Sequence, residues 1–240
     1  MADDFSEYQG SELELFAGAR NWKAYWAGMV KPFVSGRVLD VGAGIGSNIA
    51  PLIGERVSAW TALEPDDRLA EDIRRKRHSG EIPPTCEIVN GTLEDIDPTN
   101  RFDTIVYIDV LEHIPSDGAE MRLAAERLAP GGHLVVLSPA HQYLFSPFDA
   151  AIGHVRRYDK ASLSAVAPPG CDTVWVRMLD SCGFFLSLAN RLIMRSAMPT
   201  VGQIATWDKL FVPVSRVTDP LLGYAFGKTI LAVWRKRAAG

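Results

Sequence analysis

The sequence predicts an α/β protein built on a parallel, doubly wound sheet. Short apolar runs rich in β-branched residues, such as "RVLDV", "FDTIVYIDV" and "HLVVLSPA", recur at short spacing with helix-like stretches between them. The first run passes straight into "GAGIG", a glycine-rich turn with a helical stretch behind it. A length of 240 residues suits one such domain, or one domain carrying a substantial insertion.

The elements follow in order. Residues 11–33 read as a helix: Leu13, Phe16, Ala17, Trp22, Trp26 and Met29 fall at roughly helical spacing, and Pro32 marks its end. Residues 38–41 make the first strand and 47–53 the helix after the turn. Residues 57–63 make the second strand, closing on "EPD". Residues 66–78 form a charged helix whose "RRKRH" suits the negative pole of the helix dipole. "CEIVNGT" is a third strand running into a turn, and "FDTIVYIDV" a fourth. A helix over 118–128, a turn at "PGG" and a fifth strand at "HLVVLSPA" complete the regular part.

After Ala140 the regularity breaks, and "HQYLFSPFDAAIGHVRRYDKASL" is rich in loop-forming residues. "DTVWVRML" and "GKTILAVWRKR" read as the last two strands. Residues 182–223 between them are apolar and helix-prone, too long a stretch for a plain loop, and are expected to be a functional helical insertion. The expected division is a helical cap over 1–35 and a main domain over 36–240.

Composition narrows the function. Apolar content of 47% with 22% charged residues is ordinary for a soluble globular chain, and a net charge of −4 leaves no electrostatic footprint for nucleic acid. Cys86, Cys171 and Cys182 are scattered with no C-x-x-C pair, which argues against a zinc or redox motif. It also argues against a disulfide framework, so a reducing, cytoplasmic setting is expected. The acidic start "MADDFSEYQG" does not read as a secretory signal. No apolar run reaches the roughly 18 residues of a spanning helix.

Gly42, Gly44 and Gly46 crowd the end of the first strand, where glycine is costly unless the backbone turns sharply or approaches a ligand. A strand, a glycine turn and a helix N-terminus make a nucleotide crevice. The dinucleotide fingerprint wants Gly or Ala where Ser47 stands, and no Gly-Lys-Ser/Thr follows for a P-loop. S-adenosylmethionine remains, with its ribose, adenine, amino-acid tail and sulfonium. Asp40 can meet the cationic part, and it can also cap the following helix. Glu64, at the end of the second strand, can accept both ribose hydroxyls, at roughly 1.5–3 kcal/mol each.

On these residues the chain resembles the class I S-adenosylmethionine-dependent methyltransferases. The matching stretches are "VLDVGAGIG", "LEPD", "VNGTLEDI", "FDTIVYIDVLEHIPSD" and "LAPGGHLVVLSPA", in order. "GHVRRY" after the fifth strand and the terminal "GKTILAVWRK" resemble a bacterial subgroup. The resemblance implies a Rossmann-like sheet of seven strands in order 3-2-1-4-5-7-6, the last antiparallel. It implies that Asp40, Gly42, Ala43 and Gly44 line the methionine portion, and that Glu64 holds the ribose beside Pro65 and Asp66. Gly91, Thr92 and Leu93 would frame the adenine, and Asp109 and Val110 would face the methyl group. Trp22 and Tyr25 would close over the cofactor tail or the substrate.

The catalytic candidates are His141, His154 and Tyr158. His141 follows "SPA" at the carboxyl end of the fifth strand beside the crevice, where an imidazole has a suitable pKa for a general base; an exposed loop histidine is the alternative reading. His154, Arg156, Arg157 and Tyr158 lie in the following loop and can fix a substrate or tie the loop down. Asp109, Glu112 and His113 form a tight cluster but lack ligand spacing on one face, so no metal site is expected. "CGFFLSLANRLIMRSAM" suits an interfacial helix or, more plainly, a lid or dimer helix.

The expected activity is methyl transfer from S-adenosylmethionine, with S-adenosylhomocysteine as product, by direct displacement at the sulfonium methyl. Such a reaction asks the protein mainly to align the reactants and exclude water. The acceptor is expected to be a small-molecule, lipid-like or sugar compound, with peripheral membrane contact or a homodimer through the insertion as open alternatives. The rival reading is a non-catalytic cofactor-binding or partner subunit of the same fold.

Overall fold

The computed structural model describes residues 12–189 and 200–238. In chain order the elements are α1 (Glu12–Ala17), α2 (Arg20–Val30), β1 (Gly36–Val41), α3 (Ile49–Leu52), β2 (Val57–Glu64), α4 (Asp67–Ser79), β3 (Cys86–Asn90) and β4 (Phe102–Ile108). They continue with α5 (Asp117–Arg127), β5 (Leu128–Pro139), α6 (Pro147–Ala151), α7 (Lys160–Ala165) and β6 (Cys171–Leu179). The last are α8 (Ser181–Ala189), α9 (Val201–Thr206), α10 (Val212–Leu221) and β7 (Thr229–Lys236).

Seven strands form one sheet in the order β3-β2-β1-β4-β5-β7-β6. β1 to β5 run parallel, and β7 is antiparallel to both of its neighbours, as expected. Side chains alternate across the pleat and feed two cores. Val38, Val106, Val135 and Val233 join the core under α2 and the insertion. Leu39, Ile105, Leu134 and Ala232 join the core under α5 and α7.

Several boundaries differ from the sequence reading. The expected N-terminal helix is broken at Gly18–Ala19 into α1 and α2, and its first residue, Ser11, lies outside the described residues. The break is stabilised from far away. Asp208 Oδ2 accepts from Asn21 N at 3.2 Å and Oδ1 from Trp22 N at 2.8 Å, so a carboxylate from the insertion caps α2. The helix after the glycine turn is a single turn, α3, because the left-handed backbone persists to Gly46. "PGG" is no simple turn: β5 begins at Leu128, bulges there, and resumes pairing with β4 at His133. Strand β2 runs one residue further, to Glu64.

The insertion is helical where it is described, as α8, α9, a π-helical turn over Trp207–Phe211, and α10. Buried aspartates fasten it. Asp219 accepts from the backbone of Asp180 at 2.7 Å, the backbone of Ser181 at 2.9 Å and the Tyr25 hydroxyl at 2.9 Å. Asp180 accepts from the Trp207 indole at 2.8 Å, the Ser215 hydroxyl at 2.8 Å and Gly183 N at 2.9 Å. No helix among the described residues is long and apolar enough to cross a membrane.

Candidate active site

The crevice opens at the carboxyl ends of β1, β2, β4 and β5, the position a doubly wound sheet offers to ligands. Gly42 turns at φ +66°, and a Cβ there would sit 2.7 Å from Val110 Cγ2. Backbone sterics therefore demand glycine at this point, and Val110 is the wall it packs against. Gly44 and Gly46 share the left-handed conformation. Ala43 is buried, its N–H bonded to Leu63 O at 3.0 Å, which ties the turn to β2.

Glu64 ends β2 with one oxygen on this turn and the other on its own chain two residues on. Oε2 accepts from Gly44 N at 2.7 Å and Oε1 from Asp66 N at 3.0 Å. Burial pushes its carboxyl up to about 7, held back by those two N–H groups. Pro65 follows, and its carbonyl accepts from the Asn90 side chain at 3.2 Å. Asp66 caps α4, accepting from Arg68 N at 2.8 Å and Leu69 N at 3.1 Å. Across the crevice Gly91 N bonds Glu64 O at 3.1 Å. Thr92 and Asp95 form a capping box, and Leu93 is buried beneath them.

Asp40 differs in placement from the expectation. It shares a pleat face with Val38, so its side chain turns into the core beneath the turn and is 1% exposed. Neither oxygen has a hydrogen-bond partner. Burial raises its carboxyl to about 8, Glu64 adds to the rise, and the nearby Trp60 indole tempers it without closing a bond. The native state thus keeps a proton that the unfolded chain releases near pH 4. Stability from this group is complete below about pH 4 and declines as pH rises towards 8, by up to about 1.4 kcal/mol per pH unit. Asp40→Asn is uncharged at every pH. The ligand-free variant should show a flatter dependence of Tm on pH between 5 and 8 and a higher Tm at pH 8. An unchanged slope would remove Asp40 as its source.

Trp22 and Tyr25 face the insertion. The Trp22 ring lies 5.7 Å from that of Trp207, and the Tyr25 hydroxyl is bonded to Asp219. The α2 residue that reaches the glycine turn is Lys23, which sequence reasoning passed over. Its Nζ donates to Ser47 O at 3.3 Å, and burial lowers it to about 8 while Asp109 pulls it back up. A cation fixed beside the turn can meet the carboxylate of an amino-acid tail.

Asp109 follows β4 at φ +55°, its N–H bonded to Leu137 O at 2.9 Å. The side chain reaches solvent through the mouth, yet surrounding protein raises its carboxyl to about 6. His154, Lys228 and Lys23 oppose the rise.

His141 stands at φ +66°, two residues past the end of β5. Its Nε2 is buried without a hydrogen-bond partner. Burial lowers its pKa, which keeps the ring neutral. Aromatic groups surround it: Tyr143 at 5.0 Å and Phe184 at 5.2 Å between ring centroids, with Phe226 5.7 Å beyond Phe184. Tyr143 and Phe185 are exposed, so this wall is open on one side.

His154 and Tyr158 are held differently. Tyr158 is buried, with its hydroxyl on Asp117 Oδ2 at 2.7 Å and its backbone bridged to Ala140. These bonds make it a strut for the loop. His154 Nδ1 lies 3.0 Å from Asp149 Oδ1, and Nε2 lies 3.7 Å from Glu112 Oε1. Those acids raise its pKa against the effect of burial. Arg157 grips the same Asp149 with two bonds of 2.9 Å.

Comparison with known proteins bears on this geometry. A family model described as "Methyltransferase domain" matches residues 17–167. The chain is 31% identical over 104 residues to a ubiquinone biosynthesis O-methyltransferase of Paramagnetospirillum magneticum, covering 43% of this chain and 41% of that protein. It is also 31% identical over 121 residues to a tRNA U34 carboxymethyltransferase of Shewanella oneidensis, covering 48% and 36%. The chain thus spans about two fifths of the length of these curated relatives. Among solved structures, an S-adenosylmethionine-dependent methyltransferase from Clostridium acetobutylicum superposes with a TM-score of 0.59, covering 92% of each chain at 10% identity, a likeness of fold.

Proposed function

The chain belongs to the methyltransferase-domain family, as a class I S-adenosylmethionine-dependent member, and from that premise we propose that it methylates a hydroxyl of a small acceptor with an apolar body. The observation that carries the acceptor side is His141: an imidazole at the crevice edge, its pKa lowered by burial, with the rings of Tyr143 and Phe184 beside it. Such a group can take the hydroxyl proton as the oxygen attacks the sulfonium methyl. The aromatic wall favours a planar or lipid-like body over a polar sugar, which would ask for more hydrogen-bonding side chains.

On the cofactor side, Glu64 holds the ribose, Leu93 backs the adenine, and Lys23 takes the carboxylate of the methionine tail. Asp109 meets the ammonium or the methyl. The relative named for ubiquinone biosynthesis supports an oxygen acceptor on an apolar molecule. Leu210, Val214, Val217 and Leu221 recur at helical spacing along one exposed side of the insertion, which supports peripheral contact with a lipid surface.

The test is transfer of radiolabelled methyl from S-adenosylmethionine into fractionated bacterial extract. Label in the organic phase, stable to conditions that cleave esters and lost in His141→Asn, is the expected result. Label confined to sugars, or to RNA, would overturn the acceptor class. Binding of S-adenosylhomocysteine without transfer into any fraction would leave a non-catalytic cofactor-binding protein.

A further inference from the structure

The end of β4 and the loop after β5 build a second constellation beside the crevice. Glu112, His113 and His154 each bring a ligand-capable atom to within 4.8 Å of the others. Glu112 is fully buried, and its Oε1 has no hydrogen-bond partner, while Oε2 accepts from the Ser138 hydroxyl at 2.7 Å. The group opposite this oxygen is the His154 ring, whose Nε2 at 3.7 Å is too far for a hydrogen bond, and an unbonded buried carboxylate oxygen is expensive.

We propose that Glu112, His113 and His154 form a divalent-cation site of the zinc type. Two imidazoles and one carboxylate suit a borderline metal and leave a fourth position for water or an acceptor oxygen. In a tetrahedral site with bonds of about 2.0–2.1 Å, neighbouring ligand atoms stand roughly 3.3–3.5 Å apart. His154 Nε2 and Glu112 Oε1 are at 3.7 Å, so closure asks for little movement there.

The outer partners fit the same reading. Metal-bound histidines commonly give their second ring N–H to a carboxylate or carbonyl. Asp149 takes that role for His154, itself held by Arg157, and the Gly153 backbone bonds the His113 ring. The inference needs no methyl donor in its readout and stands apart from the methyl-transfer reading.

The experiment is a titration of the chelator-treated full chain, free of any histidine tag, with Zn²⁺ and with Mg²⁺ by calorimetry. One equivalent of Zn²⁺ should bind, with Mg²⁺ at least ten-fold weaker. Glu112→Gln, which keeps an acceptor for Ser138, and His113→Gln should each weaken Zn²⁺ at least ten-fold while circular dichroism and S-adenosylhomocysteine binding persist. Absence of a 1:1 event, equal binding of Mg²⁺, or Zn²⁺ binding unchanged in both variants would overturn the site.

Discussion

Asp180→Ala will destabilise the protein by about 3–5 kcal/mol, the range for removing one member of a buried charged network. Asp180 is fully buried and joins three parts of the fold that are distant in sequence. It accepts the Trp207 indole N–H, the Ser215 hydroxyl and Gly183 N, and Lys228 Nζ lies 3.8 Å away. Truncation leaves the indole, the hydroxyl and the ammonium without their acceptor. It also puts alanine at φ +64°, a conformation that asparagine and aspartate tolerate better. Asp180→Asn keeps an acceptor and the backbone preference, so its cost should be less than half that of alanine. Urea unfolding of the three proteins measures both. An alanine variant within about 1 kcal/mol of wild type would show that the insertion is held by apolar packing alone. The same substitution reaches the crevice, because α8 starts one residue later and carries Phe184 to the ring of His141.

That network also shows where sequence reading stops. The strands were legible because β-branched runs recur and each is bounded by turn residues; "FDTIVYIDV" predicts β4 within two residues. The break between α1 and α2 was not legible, because its cap, Asp208, lies 186 residues from the Trp22 N–H it accepts. Helical periodicity likewise places Trp22, Lys23 and Tyr25 on a helix without saying which side meets the crevice. The aromatic residues went to the insertion and the lysine to the glycine turn.

The acids and histidines follow the same logic. Glu64 and the glycines were readable because strand, turn and spacing all act locally. Asp109, Glu112 and His113 invite grouping because they are neighbours in sequence. The fold keeps Glu112 and His113 together and adds His154, brought over by a loop that Asp149, Arg157 and Tyr158 pin down. Only the path of that loop reveals the partnership, and the loop's path depends on bonds among residues that sequence presents as loosely related.

His141→Asn will lower kcat by about 10²–10⁴-fold, the usual worth of a positioned general base, equivalent to roughly 3–5 kcal/mol of barrier. Asparagine is the informative replacement because it accepts the left-handed backbone at this position and has no comparable basicity. Affinity for S-adenosylhomocysteine should stay within about two-fold, since no cofactor contact is assigned to the ring. The pH profile separates a base from a packing residue. Burial lowers the His141 pKa, so the neutral form dominates from below pH 6.5 upward. Wild-type kcat should therefore rise with pH on the acid side and level off before neutrality, and the variant should lose that limb while keeping any dependence due to Asp109. A drop in kcat with the acid limb intact would assign His141 to the aromatic wall beside Tyr143 and Phe184. Undiminished kcat would mean that the acceptor arrives already deprotonated or loses its proton directly to water, leaving alignment at the sulfonium methyl as the protein's whole contribution.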